Sequence, residues 1–422
     1  MMNEWMMRPI GMLRVVLACS FGGLLTAGAR ISVPEDKVIE AVSWLETEAH
    51  RIIRASKREM NDGTAAFPPQ VGTGYEAFWL RDYEYTLEGS IKSFSDKELT
   101  DACRLFIRSM NAEGAGVDCV KYRGTPIYKP GYGSMGENPV ADGSQFTVGV
   151  AFHTYRKTKD ATLLGEMLTP LVKTMAAVPR NTTTGLVHID PARAWDRCPY
   201  GFTDTIRKQG DELFCSLLYV QACRQLSNLL HAGQRENEAR KWKQEASRVI
   251  ASVRQIFWDA DTGLFRAATV KCREHDIWGS AFAVYLGVAD AAQSQTIACY
   301  FKTHYDQIVQ QGQVRHLPGG VYWEQGCARD QYQNGAYWAT PVGWFVYTLD
   351  LADPMLADRT ILDMVNDFKK HGACEWIIGE NRKLPNYLAS AALPLDGIRA
   401  MIERRKKARH RNDPNKAASV PF

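Results

Sequence analysis

The sequence predicts an all-α fold built from six consecutive helical hairpins. Three observations carry this reading. Apolar residues recur at three- and four-residue steps over most of the chain. Helix pairs follow one another roughly every 50–60 residues, without the sequence signature of a known solenoid repeat. Only short pieces, Gly185-Leu186-Val187-His188 and Gly263-Leu264-Phe265-Arg266, read as strands. Six hairpins can close into a ring, an (α/α)6 toroid, or continue as an open helical solenoid; periodicity is common to both.

Taken in order, the chain opens on an export signal. Arg8 and Arg14 precede or enter an apolar run from Val15 to Leu25, and Ala27-Gly28-Ala29 supplies a small-x-small cleavage pattern. The expectation is cleavage after Ala29 and a secreted or periplasmic location, since the run is short for a bilayer span. A lipoprotein signal ending at Cys19 and an uncleaved anchor are the alternatives; Leu17 sits where a lipoprotein signal carries a small residue. The first helix then spans about 34–60, with Val38, Ile39, Val42, Leu45, Ile52 and Ile53 on one stripe and Pro34 near its start. Further helical patterns cover 82–94, 96–112, 144–158, 161–178, 210–231, 235–257, 276–288, 290–308, 336–351, 356–370 and 387–404. Long loops rich in Gly, Pro and aromatics lie between them, at 60–80, 113–143, 181–209, 309–335 and 372–386. In a ring these loops gather at one end, where function is expected. The catalytic domain is thus 30–402, followed by a polar, basic tail over 403–422 with Arg404-Arg405-Lys406-Lys407.

Composition narrows the partners. Apolar and charged fractions of 45% and 23% are those of a soluble globular protein. A net charge of +4 is small for 422 residues, so no nucleic acid or other polyanion is implied, and membrane contact is expected only through the signal segment. Of ten Cys, Cys19 lies in the signal and the rest run from Cys103 to Cys374 without a CxxC or a metal-type cluster. That pattern is compatible with one or two disulfides but is no disulfide framework; Cys215 and Cys223 sit in helical apolar patterns as small hydrophobes.

Unusual residues concentrate in the loops. In Trp79-Leu80-Arg81-Asp82 an aromatic face could stack on a sugar while guanidinium and carboxylate grip its hydroxyls; the competing reading is a buried Arg-Asp pair capping a core helix. Asp142, in Ala141-Asp142-Gly143-Ser144, is either a ligand contact or a helix cap. Trp195, Tyr200 and Phe202 surround Asp204 before a strongly apolar helix. Desolvation there would raise the Asp204 carboxyl toward general-acid use. Otherwise Asp204 or Asp211 is a cap, with Arg207 and Lys208 outside. Asp276 reads as a cap beside a core Trp278. Gln333, Asn334, Tyr337 and Trp338 are candidate sugar contacts or ring lining, and Glu375 beside Trp376 is a candidate general base. No Walker loop, dinucleotide fingerprint, zinc-protease or serine-elbow motif occurs, and nine scattered His give no metal spacing. The available catalytic groups are carboxylates, with no metal and no cofactor expected.

In order along the chain, these segments resemble the six-hairpin glycosidase superfamily of glucoamylases, trehalases and processing α-glucosidase I. Trp79-Leu80-Arg81-Asp82 looks like the Trp-x-Arg-Asp segment whose Arg and Asp bind the reacting sugar. Asp204 matches the general acid of the middle loop. Glu375, about 15 residues before Ala389-Ser390, matches the late general base. The sequence departs from the pattern in lacking the trehalase Gly-rich signature and in carrying Ala389 where glucoamylases have Trp. The resemblance implies hydrolysis of a glycoside or oligosaccharide with inversion, on carboxyls roughly 6.5–9.5 Å apart. A sugar epimerase or polysaccharide lyase on the same ring, or a non-catalytic glycan-binding protein, are the alternatives.

Overall fold

A computed structural model of the chain describes residues 35–411, apart from 73, 131–135, 194 and 195. The predicted export signal and Trp195 lie outside the described residues. Helices form where the periodicity places them: α1 (Glu35–Ser56), α2 (Leu80–Ser90), α3 (Asp96–Arg108), α4 (Gly143–Thr158), α5 (Ala161–Ala176), α6 (Leu213–Ala232), α7 (Glu236–Ile256), α8 (Ile277–Tyr285), α9 (Ala291–Thr303), α10 (Val342–Leu349), α11 (Pro354–His371), and α12 (Leu388–Ala392) leading into α13 (Pro394–Arg411). Their starts are fixed by local chemistry. Ser95 with Glu98, and Asp290 with Gln293, form reciprocal capping boxes, while Asp160, Asp276 and Asp353 accept from backbone N–H groups of the first turn. Asp276 is therefore the cap the sequence predicts, beside a fully buried Trp278.

Two kinds of helix alternate. α7 buries one stripe, Ala239, Ala246, Val249 and Val253, as an outer helix does. α2 is buried on nearly every side, including Arg81, Asp82 and Glu84. The buried class forms an inner ring: α2 packs on α4, α4 on α6, α6 on α8, α8 on α10 and α10 on α13, and the α12–α13 segment returns to α2. That last contact decides between the two architectures. An open solenoid leaves its end helices apart, whereas here the final helices close on the first inner one, giving the (α/α)6 toroid. Closure needs Gly89, because a Cβ there would overlap the Ala392 carbonyl.

Short antiparallel ladders tie the loops together. β1 (Ala77–Trp79), β2 (Cys119–Lys121) and β3 (Pro126–Ile127) form one sheet. A second runs β4 (Val309–Gln310), β5 (Gln313–Arg315), β6 (Tyr337–Trp338), β7 (Trp376–Ile378) and β8 (Asn381–Lys383). Its register sets Arg315 opposite Tyr337 and Tyr337 opposite Ile377, so Glu375 stands at the start of β7 beside the 330s loop.

Three expectations change. The helix read over 336–351 begins only at Val342; Tyr337 and Trp338 are in β6, and Pro341 keeps the residue before it out of the helical region. The tail read from 403 is helical to Arg411, and its first basic residues are not free: Arg404 bonds Asp350 at 2.8 Å and Arg405 bonds Asp350 and Asp358 at 2.6 and 2.8 Å. All nine described cysteines are free thiols, seven of them buried, so they pack as hydrophobes and no disulfide forms among the described residues. Among the described residues no helix is long and apolar enough to cross a membrane.

Candidate active site

The strand-to-helix turn at β1–α2 places two adjacent side chains in different surroundings, because successive helical residues point about 100° apart. Arg81 turns into a buried ion-pair network. Its Nη1 bonds Asp118 Oδ1 at 2.7 Å, while Nε and Nη2 bond the two oxygens of Asp142 at 3.1 Å each. Asp142 Oδ2 also accepts the Gly201 N–H at 2.7 Å. Gly201 lies directly on the guanidinium, and a Cβ at that position would overlap Arg81 Nε. Arg81 and Asp142 thus fasten the 200s loop to α2. The hydrogen bonds of both side chains described here run to protein partners, and the Asp142 side chain makes no cap hydrogen bond.

Asp82 faces another way. Its Oδ1 accepts the Tyr387 hydroxyl at 2.5 Å, and burial pushes the carboxyl up to about 6 against that bond. Asp204 closes the short 3-10 turn Gly201–Thr203 that Arg81 and Asp142 anchor. Gln333 Nε2 donates to Asp204 Oδ1 at 2.7 Å, and Gln333 Oε1 accepts from Thr205 N and Oγ1 at 2.8 and 2.7 Å. With its oxygen so engaged, the amide can only donate to Asp204, which fixes the carboxyl in place. Burial pushes Asp204 up to about 6, opposed by the Gln333 bond and the Arg81 charge. Glu375 accepts the Tyr75 hydroxyl at 2.7 Å and is also hydrogen-bonded by Tyr332. Burial pushes it up to about 8, with the charges of Asp82 and Asp204 adding to the rise.

The fold thereby brings Asp82 of α2 together with Asp204 and Glu375 of two loops, near enough for their charges to act on one another. Glu375 feels the Asp204 charge without any hydrogen bond between the two. Each carboxyl has its own donor: Tyr387, Gln333 or Tyr75. The three phenols Tyr75, Tyr332 and Tyr387 are raised well above the ordinary range by burial and carboxylate charge, so they remain donors. Aromatic walls stand beside them. Trp79 packs edge-on to Tyr75 at 5.6 Å, and Trp376 edge-on to Tyr332 at 6.2 Å. Tyr332 itself has φ of +44°, a left-handed backbone that a non-glycine residue holds only under surrounding constraint.

Several other predicted contacts are engaged with protein partners. Tyr200 is fully buried, stacked on Phe214 at 3.9 Å with its hydroxyl on that of Tyr85. Trp338 is fully buried against Phe202, Trp278 and Tyr332, as ring lining. Asn334 accepts Trp323 N at 2.9 Å and donates to Cys327 O at 2.8 Å, closing its own loop. Tyr337 lies under Arg315, 5.6 Å from the guanidinium. Gln333 positions Asp204, as above. Lys208 is buried, not outside: it pairs with Glu212 at 2.9 Å, and Glu212 caps α6. The tyrosine donors lie about 40 to 300 residues from their carboxylates, and only the closed ring brings them together.

No protein-family profile matches the chain, and no curated protein matches it in sequence. Solved structures do match in fold. The GH63 mannosylglycerate hydrolase from Thermus thermophilus, in complex with glucose, superposes with a TM-score of 0.61 at 17% identity, over 83% of this chain and 99% of that one. A rhamnosidase from Klebsiella oxytoca with rhamnose bound gives 0.57 at 13% identity, over 89% of this chain and 65% of that one. The GH78 rhamnosidase of Bacillus sp. GL1 gives 0.55 at 12% identity, over 85% of this chain and 34% of that one. At these identities the likeness is one of fold, and it agrees with the six-hairpin toroid.

Proposed function

We propose that the chain is a glycoside hydrolase that cleaves with inversion, Asp204 acting as general acid and Glu375 as general base. One observation carries this reading: three carboxyls, one from α2 and two from loops, lie near enough to feel one another's charge, each held by a dedicated donor. Asp204, near 6, can carry a proton for the departing glycosidic oxygen. Glu375 would take a proton from water on the opposite ring face, its lone pairs oriented by Tyr75 and Tyr332. Once Asp204 is protonated it no longer disfavours charge on Glu375, so the reactive form keeps its negative charge on the base. Asp82, fixed by Tyr387, would hold a hydroxyl of the reacting sugar. The glucose, mannosylglycerate and rhamnose of the structural neighbours make aryl glucosides, mannosides and rhamnosides the first substrates to screen. The segment ending at Ala29 is proposed to export the protein, which a mature N-terminus at Arg30 would establish.

A second reading exchanges the two roles, because burial raises Glu375 to about 8 and Asp204 only to about 6. Both readings need one proton on the pair. kcat/KM is therefore expected to follow a bell, falling below about pH 6 and above about pH 8. A rate that rises monotonically from pH 4 to 9 would contradict it. Stability has a definite sign as well. These carboxyls titrate higher in the folded chain than in the unfolded one, so ionising them weakens the fold as pH rises through about 6 and about 8. The Tm advantage of Glu375→Gln over the parent should widen from pH 5 to pH 9.

Gln333→Leu removes the donor that favours ionised Asp204 and loosens its placement. kcat is expected to fall about 10²-fold. The pH limb belonging to Asp204 should move upward, a displacement that mere loosening of the loop would not produce.

A further inference from the structure

We propose that Glu84, Glu88 and His153 form a binding site for one divalent transition-metal ion inside the ring, away from the catalytic loops. Glu84 and Glu88 lie on α2 one turn apart, so they share a face, and His153 meets them from α4. Glu88 is six residues beyond Asp82 along the helix, a rise of about 9 Å. There it borders a cavity of about 810 Å3 to which all six inner positions of the ring contribute, among them Gln221 of α6, Tyr285 of α8, Tyr347 of α10 and Asp396 of α13.

The ligand atoms are already gathered. One from each of the three side chains lies within 4.8 Å of the others. His153 Nε2 is 3.4 Å from Glu84 Oε1 and 3.9 Å from Glu88 Oε1. Two ligands about 2.1 Å from a tetrahedral ion stand about 3.4 Å apart, so closing on an ion asks the widest pair to approach by no more than about 1.4 Å. Gln221 Nε2 donates to Glu88 Oε1 at 2.6 Å, orienting the carboxylate from outside as partners of metal ligands do. The other oxygen, Oε2, has no hydrogen-bond partner although the Glu88 side chain is only 4% exposed, and His153 Nε2 has none either. Such orphaned buried atoms are costly unless something binds them. Room for the arrangement is built into α4: a Cβ at Gly149 would overlap the Glu84 carboxylate.

Charge points the same way. Among the described residues neither Glu84 nor Glu88 pairs with a Lys or Arg, and Asp396, held by the Tyr285 hydroxyl, adds a third carboxyl. Two arginines that line the cavity are engaged elsewhere, Arg224 on the Leu286 carbonyl and Arg404 on Asp350 and the Tyr347 carbonyl. Arg156, over the Phe152 ring, acts on His153 and Asp396 by charge, and Lys407 also lines the cavity, but neither is ion-paired to Glu84 or Glu88. A divalent cation would supply the missing counter-charge and join α2, which carries Asp82, to α4. One imidazole and two carboxylates suit Mn2+ or Zn2+ better than soft, thiol-seeking ions.

The test uses the full chain stripped with a chelator and titrated with Mn2+ by electron paramagnetic resonance and with Zn2+ by calorimetry. Mn2+ is the deciding probe, because the accessible thiols Cys299 and Cys327 compete poorly for it. The expected result is one saturable equivalent. Gln221→Ala, which keeps all three ligands, should bind about 10- to 100-fold more weakly. His153→Gln and Glu88→Gln should lose saturable binding. No saturable Mn2+ site in the parent would overturn the proposal, and so would a site whose affinity is the same in all three variants. If either ligand variant fails to fold, Gln221→Ala decides alone.

Discussion

Glu375→Gln is expected to lower kcat by about 10²–10⁴-fold while the protein stays folded. The substitution keeps the size of the side chain and its contacts with Tyr75 and Tyr332 but removes the basic lone pair. Asp204→Asn should cost as much on a substrate with a poor leaving group. The pair then separates on leaving-group chemistry. A glycosyl fluoride or dinitrophenyl glycoside departs without help from a proton, so the variant lacking the acid regains much of its rate on it, and the variant lacking the base does not. Recovery in Asp204→Asn assigns the acid to Asp204. Recovery in Glu375→Gln instead would assign it to Glu375, as its higher pKa of about 8 suggests. Two variants within a few-fold of the parent would exclude this pair from the chemistry, and with it hydrolysis by the proposed route.

Arg81→Met is expected to destabilise the protein by about 3–5 kcal/mol, because it leaves buried carboxylates without their cation. Asp118 and Asp142 are both fully buried, and Arg81 is the partner that bonds each of them at 2.7 and 3.1 Å. Glycoside turnover should fall with stability, since the Gly201 turn that carries Asp204 rests on this network. Arg81→Lys keeps the charge but not the fork, and should recover only part of the loss. Denaturant unfolding measures the difference. A change below about 1 kcal/mol would mean that the network does not anchor the loop.

Much of this architecture is legible in the sequence. The outer helices show clear stripes, as in Ala239, Ala246, Val249 and Val253, so their positions follow from periodicity. Asp204 and Glu375 could be singled out because a carboxyl amid aromatics in a long loop is unusual. Other features could not be read, for stated physical reasons. Strands of two or three residues, such as β6, are too short for any alternation to appear. Ring closure depends on α12 and α13 meeting α2, a contact between chain segments some three hundred residues apart. Arg81 and Asp82 are neighbours in sequence, yet the helical turn sends one into an ion-pair network and the other toward the carboxyls. Glu84 and Glu88 have an ordinary helical spacing in sequence, and only the fold brings His153 to them from another hairpin.

Proton NMR of the first-formed sugar tests the central claim most directly. With a substrate found in the glycoside screen, the initial product should carry the anomeric configuration opposite to that of the substrate, before mutarotation mixes the two. Initial product of the same configuration would contradict the account, because a water placed between Asp204 and Glu375 can deliver only inversion.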